Sequence, residues 1–188
     1  GIEEKNIVIF RNIVDSRKFC EWNKINSVPK KALILSNRLD VEKEKIIREA
    51  CNKLNIECIF IGKRFRKIHY FEVPKYMNEV DVVFSVGRGA IEAMFCGRIP
   101  IIFDYMGGDG MVTPDNFDEL MKYNFSGRRF GINFTVDQLI CEIEKYDIRY
   151  SESLRMKAIE YFGAEENIDI LIKIYKEAIE NEIKKIDG

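Results

Sequence analysis

This sequence lacks a metal-binding or disulfide pattern of cysteines. No C-x-x-C pair occurs, and the total is odd: the five residues are Cys20, Cys51, Cys58, Cys96 and Cys141. Zinc cages and disulfide frameworks use closely spaced or evenly paired cysteines, so the pattern argues against both. We therefore expect reduced thiols and a cytoplasmic location. Cys96 is expected to be a small apolar residue in a closely packed helix.

Long apolar runs and an excess of one charge are also missing. No stretch approaches the roughly 18 apolar residues that span a bilayer, and the N-terminus lacks the apolar core of a signal peptide. The 30 basic and 31 acidic residues leave a net charge of −1, so no overall positive field attracts nucleic acid or an anionic membrane. We expect no transmembrane segment and no nucleic-acid partner. Any anion site must be local.

The length and apolar content predict one domain. With 188 residues, 46% of them hydrophobic, the chain can bury one full core, and two would be unusual. We therefore treat residues 1–188 as a single unit. It begins at Gly1 and soon enters the apolar run Ile7 to Phe10, as expected of a domain taken from a longer protein.

Short apolar runs alternate with helical patterns, which is typical of an α/β fold with a mostly parallel sheet. Several runs lack polar alternation, as strands covered on both faces do. The predicted strands are Asn6 to Phe10, Ala32 to Leu35, Glu57 to Ile61, Ile68 to Val73, Val80 to Ser85 and Pro100 to Phe103. The pattern predicts a Rossmann-like, three-layer domain.

The helices are predicted from their apolar stripes and caps. Asp40 is expected to cap a helix over Val41 to Leu54, and Thr135 with Gln138 forms a capping box for a later one. The segment around Gly107, Gly108 and Gly110 is expected to be a loop leading to a helix at Thr113-Pro114. Helices over Ser151 to Phe162 and Glu166 to Lys185 are expected to close the domain. The last one should pack on the sheet.

The first candidate site follows the strand Ala32 to Leu35. Asn37, Arg38 and Lys43 come just after its carboxyl end, which is the edge where open α/β sheets bind ligands. Arg38 offers a bidentate fork for a phosphate, and Lys43 offers a point charge in the first helical turn. The alternative is that both are solvated surface charges.

The second candidate follows the strand Val80 to Ser85, where Gly87-Arg88-Gly89 opens a helix. Unhindered backbone N–H groups and the positive end of that helix would face a ligand. Glu92 lies in the first helical turn and is expected to accept hydrogen bonds from ribose hydroxyls. The alternative is that the two glycines serve only close packing of strand on helix.

Taken in order, these elements resemble the C-terminal domain of group 1, family 4 glycosyltransferases, which have the two-domain B-type architecture. Asn12-Ile13-Val14-Asp15 with Phe19 is similar to the family's N-G-[IV]-D-x-x-x-F segment. Arg38-Leu39-x-x-x-Lys43 is similar to its G-R-L-x-x-x-K-G segment. The stretch from Val73-Pro74 through Tyr76 to Val83 is similar to the family segment that shapes the base pocket. The most specific match is Gly89 to Pro100, which is similar to G-x-x-x-x-E-A-M-A-C-G-x-P-V.

Three positions depart from the family pattern. The family carries two glutamates eight positions apart; Glu92 fills the second place, but Phe84 stands in the first. The carboxylate that would help to grip the donor sugar is therefore missing. Ile13 and Asn37 stand where the family has glycine.

The resemblance implies a domain that binds a nucleoside-diphosphate sugar, UDP-linked, for hexose transfer with retention. The acceptor would lie on an N-terminal domain outside this chain, through which the protein could also reach a membrane surface. Arg38 and Lys43 would hold the diphosphate and Glu92 the ribose, and these three are the expected catalytic residues. The remaining donor contacts are expected at Asn37, Gly62, Ser85, Gly87, Arg88, Gly89 and Ala90.

No cofactor or metal is expected, because the cations and the helix end take the metal's place and no D-x-D cluster is present. The alternatives are a non-catalytic nucleotide- or partner-binding module and a related sugar-nucleotide epimerase. Three features outside the motifs are harder to interpret. His69 is expected to be structural. The basic run Lys63 to Lys67 is expected to be a solvated loop, the alternative being contact with a nucleotide or nucleic acid. Arg128 and Arg129 either line the cleft or cover the sheet.

Overall fold

The computed structural model describes residues 10–186, with side chains from 10 to 180. The strand expected over Asn6 to Phe10 lies, apart from Phe10, outside the described residues. Five strands form one sheet: β1 (Lys31–Leu35), β2 (Glu57–Ile61), β3 (Val82–Phe84), β4 (Ile99–Asp104) and β5 (Gly107–Met111). Their order is β2-β1-β3-β4-β5. The first four are parallel to their neighbours, and β5 is antiparallel to β4.

Helices flank this sheet in two groups. They are α1 (Val41–Lys53), α2 (Val73–Met77), α3 (Arg88–Phe95), α4 (Phe117–Lys122), α5 (Val136–Ile143), α6 (Arg149–Phe162) and α7 (Ala164–Ile186). The helices α1 and α5 pack against each other, and α3 packs against α6. The domain is therefore an α/β, Rossmann-like fold with a mostly parallel sheet, as predicted. None of the described helices is both long and apolar enough to cross a membrane.

The central strands form because their side chains are apolar on both faces. Ala32, Leu33 and Ile34 of β1 are buried, as are all three residues of β3. The predicted caps are confirmed: the Asp40 side chain accepts the N–H of Lys43, and Thr135 exchanges both capping-box bonds with Gln138. Local signals thus place β1, α1 and α5 correctly.

The strand expected over Ile68 to Val73 is wrong. A 3₁₀ turn (Tyr70–Glu72) is followed directly by α2. The Nδ1 atom of His69 accepts the N–H of Phe71, and the Glu72 carboxylate accepts the N–H of His69, so His69 is a cap. Pro74 cannot donate to a sheet but fits the first turn of a helix, where no donor is needed.

Two further expectations fail near β5. The glycine-rich segment is the strand β5 rather than a loop. Glycine is required there because a Cβ at Gly108 would overlap the carbonyl of Ile102 on β4. The next helix begins at Phe117 rather than at Thr113-Pro114, because Thr113 and Asn116 first close a turn by exchanging two hydrogen bonds.

The last helix does not pack on the sheet as expected. Its main partner is α6, which itself lies against α3 and β4. The apolar stripe of α7 consequently stays open, with Ile168 40% and Tyr175 64% exposed.

A buried carboxylate joins the segment before β1 to the start of β3. The two oxygens of Asp81 accept the backbone N–H groups of Asn26, Lys30 and Lys31 at 2.8, 2.7 and 3.1 Å. Asp81 is 2% exposed. Its carboxylate therefore satisfies three backbone donors that have no other partner among the described hydrogen bonds.

We predict that Asp81→Ala destabilises the fold by about 2–4 kcal/mol, because leaving a buried donor unsatisfied costs roughly 1–3 kcal/mol. Urea unfolding followed by circular dichroism measures the change. Asp115, which is exposed, provides the control, since Asp115→Ala should cost less than about 0.5 kcal/mol. Equal midpoints for the two variants would contradict the role of Asp81.

Candidate functional site

The order in which the chain adds strands to the sheet reverses between β1 and β3. The chain leaves β1 toward β2 on one side and leaves β3 toward β4 on the other, which opens a crevice at the carboxyl ends of the strands. Two cavities of about 470 and 340 Å³ occupy this crevice. Both are lined by Leu35, Ser36, Asn37 and Ser85. We call the larger cavity the first lobe and the smaller one the second lobe.

The first lobe contains a buried carboxylate held by two side chains. The Oε1 atom of Glu92 accepts the hydroxyl of Tyr70 at 2.7 Å and the Nε–H of Arg88 at 2.7 Å. Arg88 also donates through Nη2 to the Tyr70 hydroxyl at 2.8 Å. Burial, and then the bond to Glu92, raise the pKa of Tyr70 to about 12. Tyr70 therefore stays protonated at neutral pH and remains a donor to Glu92.

The second carboxylate oxygen of Glu92, Oε2, differs from Oε1 in its hydrogen bonding. Among the described hydrogen bonds none uses Oε2, although the residue is only 3% exposed and lines the first lobe. A carboxylate oxygen in this position can accept a hydroxyl group from a ligand. The Tyr70 and Arg88 bonds fix the carboxylate in place, so it does not have to be ordered when a ligand binds.

Three cations line the same lobe as this carboxylate. Lys63, Lys67 and Arg88 line the first lobe together with Glu92.

The Tyr70 ring packs against two neighbouring side chains. The ammonium of Lys18 lies 3.5 Å from the ring centroid, and the ring centroid of Phe19 is 5.7 Å away. The wall formed by Tyr70 is thus well supported.

The second lobe has a carboxylate at the end of β4. The Oδ1 atom of Asp104 accepts the Ser36 hydroxyl at 2.6 Å and the N–H of Tyr105 at 2.8 Å. Asp104 is 5% exposed. Burial raises its pKa, and the bonds from Ser36 and Tyr105 oppose that shift without cancelling it. The surroundings of Asp104 therefore favour the neutral form of its carboxyl group more than water does.

Arg38 lies at the mouth of the second lobe. Its Nη1 donates to the Tyr105 hydroxyl at 2.9 Å, and its guanidinium lies 5.3 Å from the centroid of the same ring. Its charge is not neutralised by an ion pair with any described residue. A guanidinium supported by an aromatic ring but still open to solvent is suited to bind an anion.

Most of the predicted site residues meet in this crevice. Asn37 and Ser85 line both lobes, Gly62, Arg88, Gly89 and Glu92 line the first, and Arg38 and Gly87 line the second. Lys43 is not among them. It lines a separate cavity with Phe134, and its ammonium lies 3.1 Å from Asp40. Ala90 is wholly buried in the core.

The two glycines of the Gly-x-Gly turn have structural roles as well. A Cβ at Gly89 would overlap the Oγ of Ser85, so this glycine lets α3 pack on the end of β3 without moving the Ser85 side chain. The N–H of Gly87 donates to the carbonyl of Phe125 at 2.8 Å and is not free for a ligand. The packing interpretation of this turn therefore has a firm basis in the geometry.

Sequence reasoning missed several residues of the crevice, among them Tyr70, Asp104 and Ser126. Asp104 ends β4, one residue beyond the predicted strand. The rule that ligands bind at the carboxyl ends of strands, which located Arg38, therefore applies to Asp104 too. Tyr70 was hidden by the false strand prediction. Ser126 belongs to a distant loop, and no local signal indicates its position.

Among the described residues, no group of three or more His, Cys, Asp or Glu side chains is placed to hold a metal ion. Neither a scan against protein-family models nor a search of curated proteins finds a match to this chain.

We predict that Asp104→Asn stabilises the domain at pH 7 by about 0.5–2 kcal/mol, the range common for single stabilising substitutions. The pKa of Asp104 is raised in the folded state, so wild type loses stability as the pH rises from the ordinary carboxyl pKa through the folded value. The gain should therefore shrink as the pH falls towards 4. Urea unfolding at several pH values measures it. A variant less stable than wild type at every pH would contradict the account.

Proposed function

We propose that this chain is the nucleotide-sugar-binding domain of a glycosyltransferase, with a UDP-linked sugar as donor. One observation carries the proposal. The crevice is lined by five cations, Arg38, Lys63, Lys67, Arg88 and Arg128, against two carboxylates, Glu92 and Asp104. The chain as a whole has a net charge of −1, so positive charge is concentrated where a Rossmann-like sheet binds its ligand.

The two lobes suit the two ends of a nucleoside diphosphate. The free Oε2 of Glu92 in the first lobe would accept a ribose hydroxyl, and Arg38 in the second lobe would bind the diphosphate through its fork. In a transfer reaction the same guanidinium would stabilise the charge that develops on the departing diphosphate. Such electrostatic stabilisation is worth several kcal/mol in a closed site.

The acceptor would bind to a second domain outside this chain, as the sequence resemblance implies. Binding and transfer would then be separable: this domain would bind UDP but transfer no hexose by itself. The resemblance also implies retention of configuration, no metal ion and a cytoplasmic protein, and these belong to the proposal in the same sense.

A second candidate is a non-catalytic nucleotide-binding module. Phe84, which stands in the place of the family's first glutamate, is wholly buried in β3. It therefore presents no carboxylate to the crevice. Binding of the nucleotide would be unaffected by this difference, whereas the grip on the donor sugar would be lost.

We predict that Arg38→Ala weakens UDP binding about tenfold to a hundredfold, because a hydrogen bond to a charged group contributes roughly 1.5–3 kcal/mol. Binding of uridine, which lacks phosphates, should hardly change. Isothermal titration calorimetry with both ligands measures the effect.

Lys43→Ala is the control that distinguishes the role implied by the motif resemblance from the position that the structure gives this residue. The motif resemblance pairs Lys43 with Arg38, whereas the geometry places its ammonium against Asp40 and in another cavity. We expect this variant to bind UDP within about threefold of wild type. Equal UDP affinity in wild type and Arg38→Ala would contradict the proposed diphosphate contact.

A further inference from the structure

The second lobe contains a second arginine that belongs to none of the sequence motifs. Arg128 lines this lobe together with Arg38, Gly87 and Ser126. It comes from the connection between α4 and α5, far along the chain from the strand ends that supply the other residues. Lys43, the cation that the motif pairs with Arg38, does not line this lobe.

The loop that carries Arg128 is firmly built. Phe125 is fully buried and packs against Phe117 and Phe162, with ring centroids 5.3 and 6.1 Å apart. Its carbonyl accepts the N–H of Gly87, which fastens the loop to the start of α3. This bond joins Phe125, three residues before Arg128, to the N-terminal end of a helix that begins at residue 88.

The backbone of this loop is unusual. Asn124 and Phe125 have φ values of 53° and 49°, in the left-handed region that costs a bulky residue about 1–3 kcal/mol. The aromatic packing of Phe125 and its bond to Gly87 hold the chain in this form. Strain of this kind is maintained only where the surrounding structure fixes it, so the backbone at Asn124 and Phe125, just before Arg128, is set by the core.

The neighbouring arginine gives an internal comparison. Arg129 is paired with Glu119 at 2.6 Å and lies 5.5 Å from the Tyr123 ring centroid, so its charge is already neutralised. Arg128 is exposed and takes part in none of the described ion pairs, hydrogen bonds or cation–π contacts. Two adjacent arginines thus differ in their partners, and it is Arg128 that lines the lobe.

The charges in the second lobe favour a doubly or triply charged anion. Two guanidinium groups reach the lobe from different walls, one after β1 and one from the α4–α5 connection. The lobe is also lined by a single carboxylate, Asp104, whose Oδ1 is already bound by Ser36 and Tyr105. Two arginines that line one lobe offer two forks for phosphate oxygens, which suits a ligand with two linked phosphates.

We infer that Arg128 is the second cation of a pyrophosphate subsite in the second lobe, where it acts with Arg38, and that the loop from Asn124 to Arg128 is a ligand-binding loop. The inference deepens the proposed function and rests on it for the nucleotide. The pyrophosphate contact itself can be tested separately.

The test compares Arg128→Ala with Arg129→Ala, a matched change at the next position. Each variant is titrated calorimetrically with inorganic pyrophosphate, UDP and uridine at low ionic strength, where exposed charges are least screened. We expect Arg128→Ala to weaken pyrophosphate and UDP about tenfold or more and Arg129→Ala to stay within about twofold of wild type. Thermal unfolding of both variants shows that the fold is retained.

The outcomes separate the two proposals. Pyrophosphate binding that depends on Arg128, without any UDP binding, would support the subsite and contradict the nucleotide. UDP binding that Arg38→Ala weakens and Arg128→Ala does not would overturn the role of Arg128 and leave the proposed function standing. Equal losses in Arg128→Ala and Arg129→Ala would overturn it as well, since only general surface charge would then be involved. Wild type that binds no pyrophosphate would overturn the subsite outright.

Discussion

The hydroxyl of Ser36 holds the carboxyl edge of the sheet together. It donates to Asp104 at the end of β4 and accepts the N–H groups of Arg38 and Leu39, at 3.0 and 2.9 Å. Because β3 lies between β1 and β4, this bond crosses the end of a whole strand. Both lobes share Ser36, so the position of Arg38, the orientation of Asp104 and the shape of the crevice all depend on one side chain.

Sequence reasoning succeeded where structure is decided locally. The apolar runs of β1 and β2 and the cap at Asp40 are properties of a few neighbouring residues, and the structure confirms them. It failed where distant residues decide. The glycines of β5 form a strand only because β4 lies beside them, and the stripe of α7 is open because α6 already covers the sheet.

The candidate site shows the same division. Asn37, Arg38 and Ser85 follow from the rule that ligands bind at strand ends, and the crevice brings them together. Lys43 has the right spacing from Arg38, but its Asp40 partner holds it elsewhere. The sequence does not place Arg128, because the course of its loop depends on the burial of Phe125 and on the contact of that residue with Gly87. Neither can be read from neighbouring residues.

The account depends most on where a nucleotide binds. A titration of the ¹⁵N-labelled domain with UDP, followed by amide chemical shifts, locates the ligand without altering any residue. The account predicts that the largest shifts fall on Ser36 to Arg38, Ser85 to Gly89 and the loop that ends at Arg128. Shifts that cluster elsewhere, or a spectrum unchanged at saturating UDP, would contradict it.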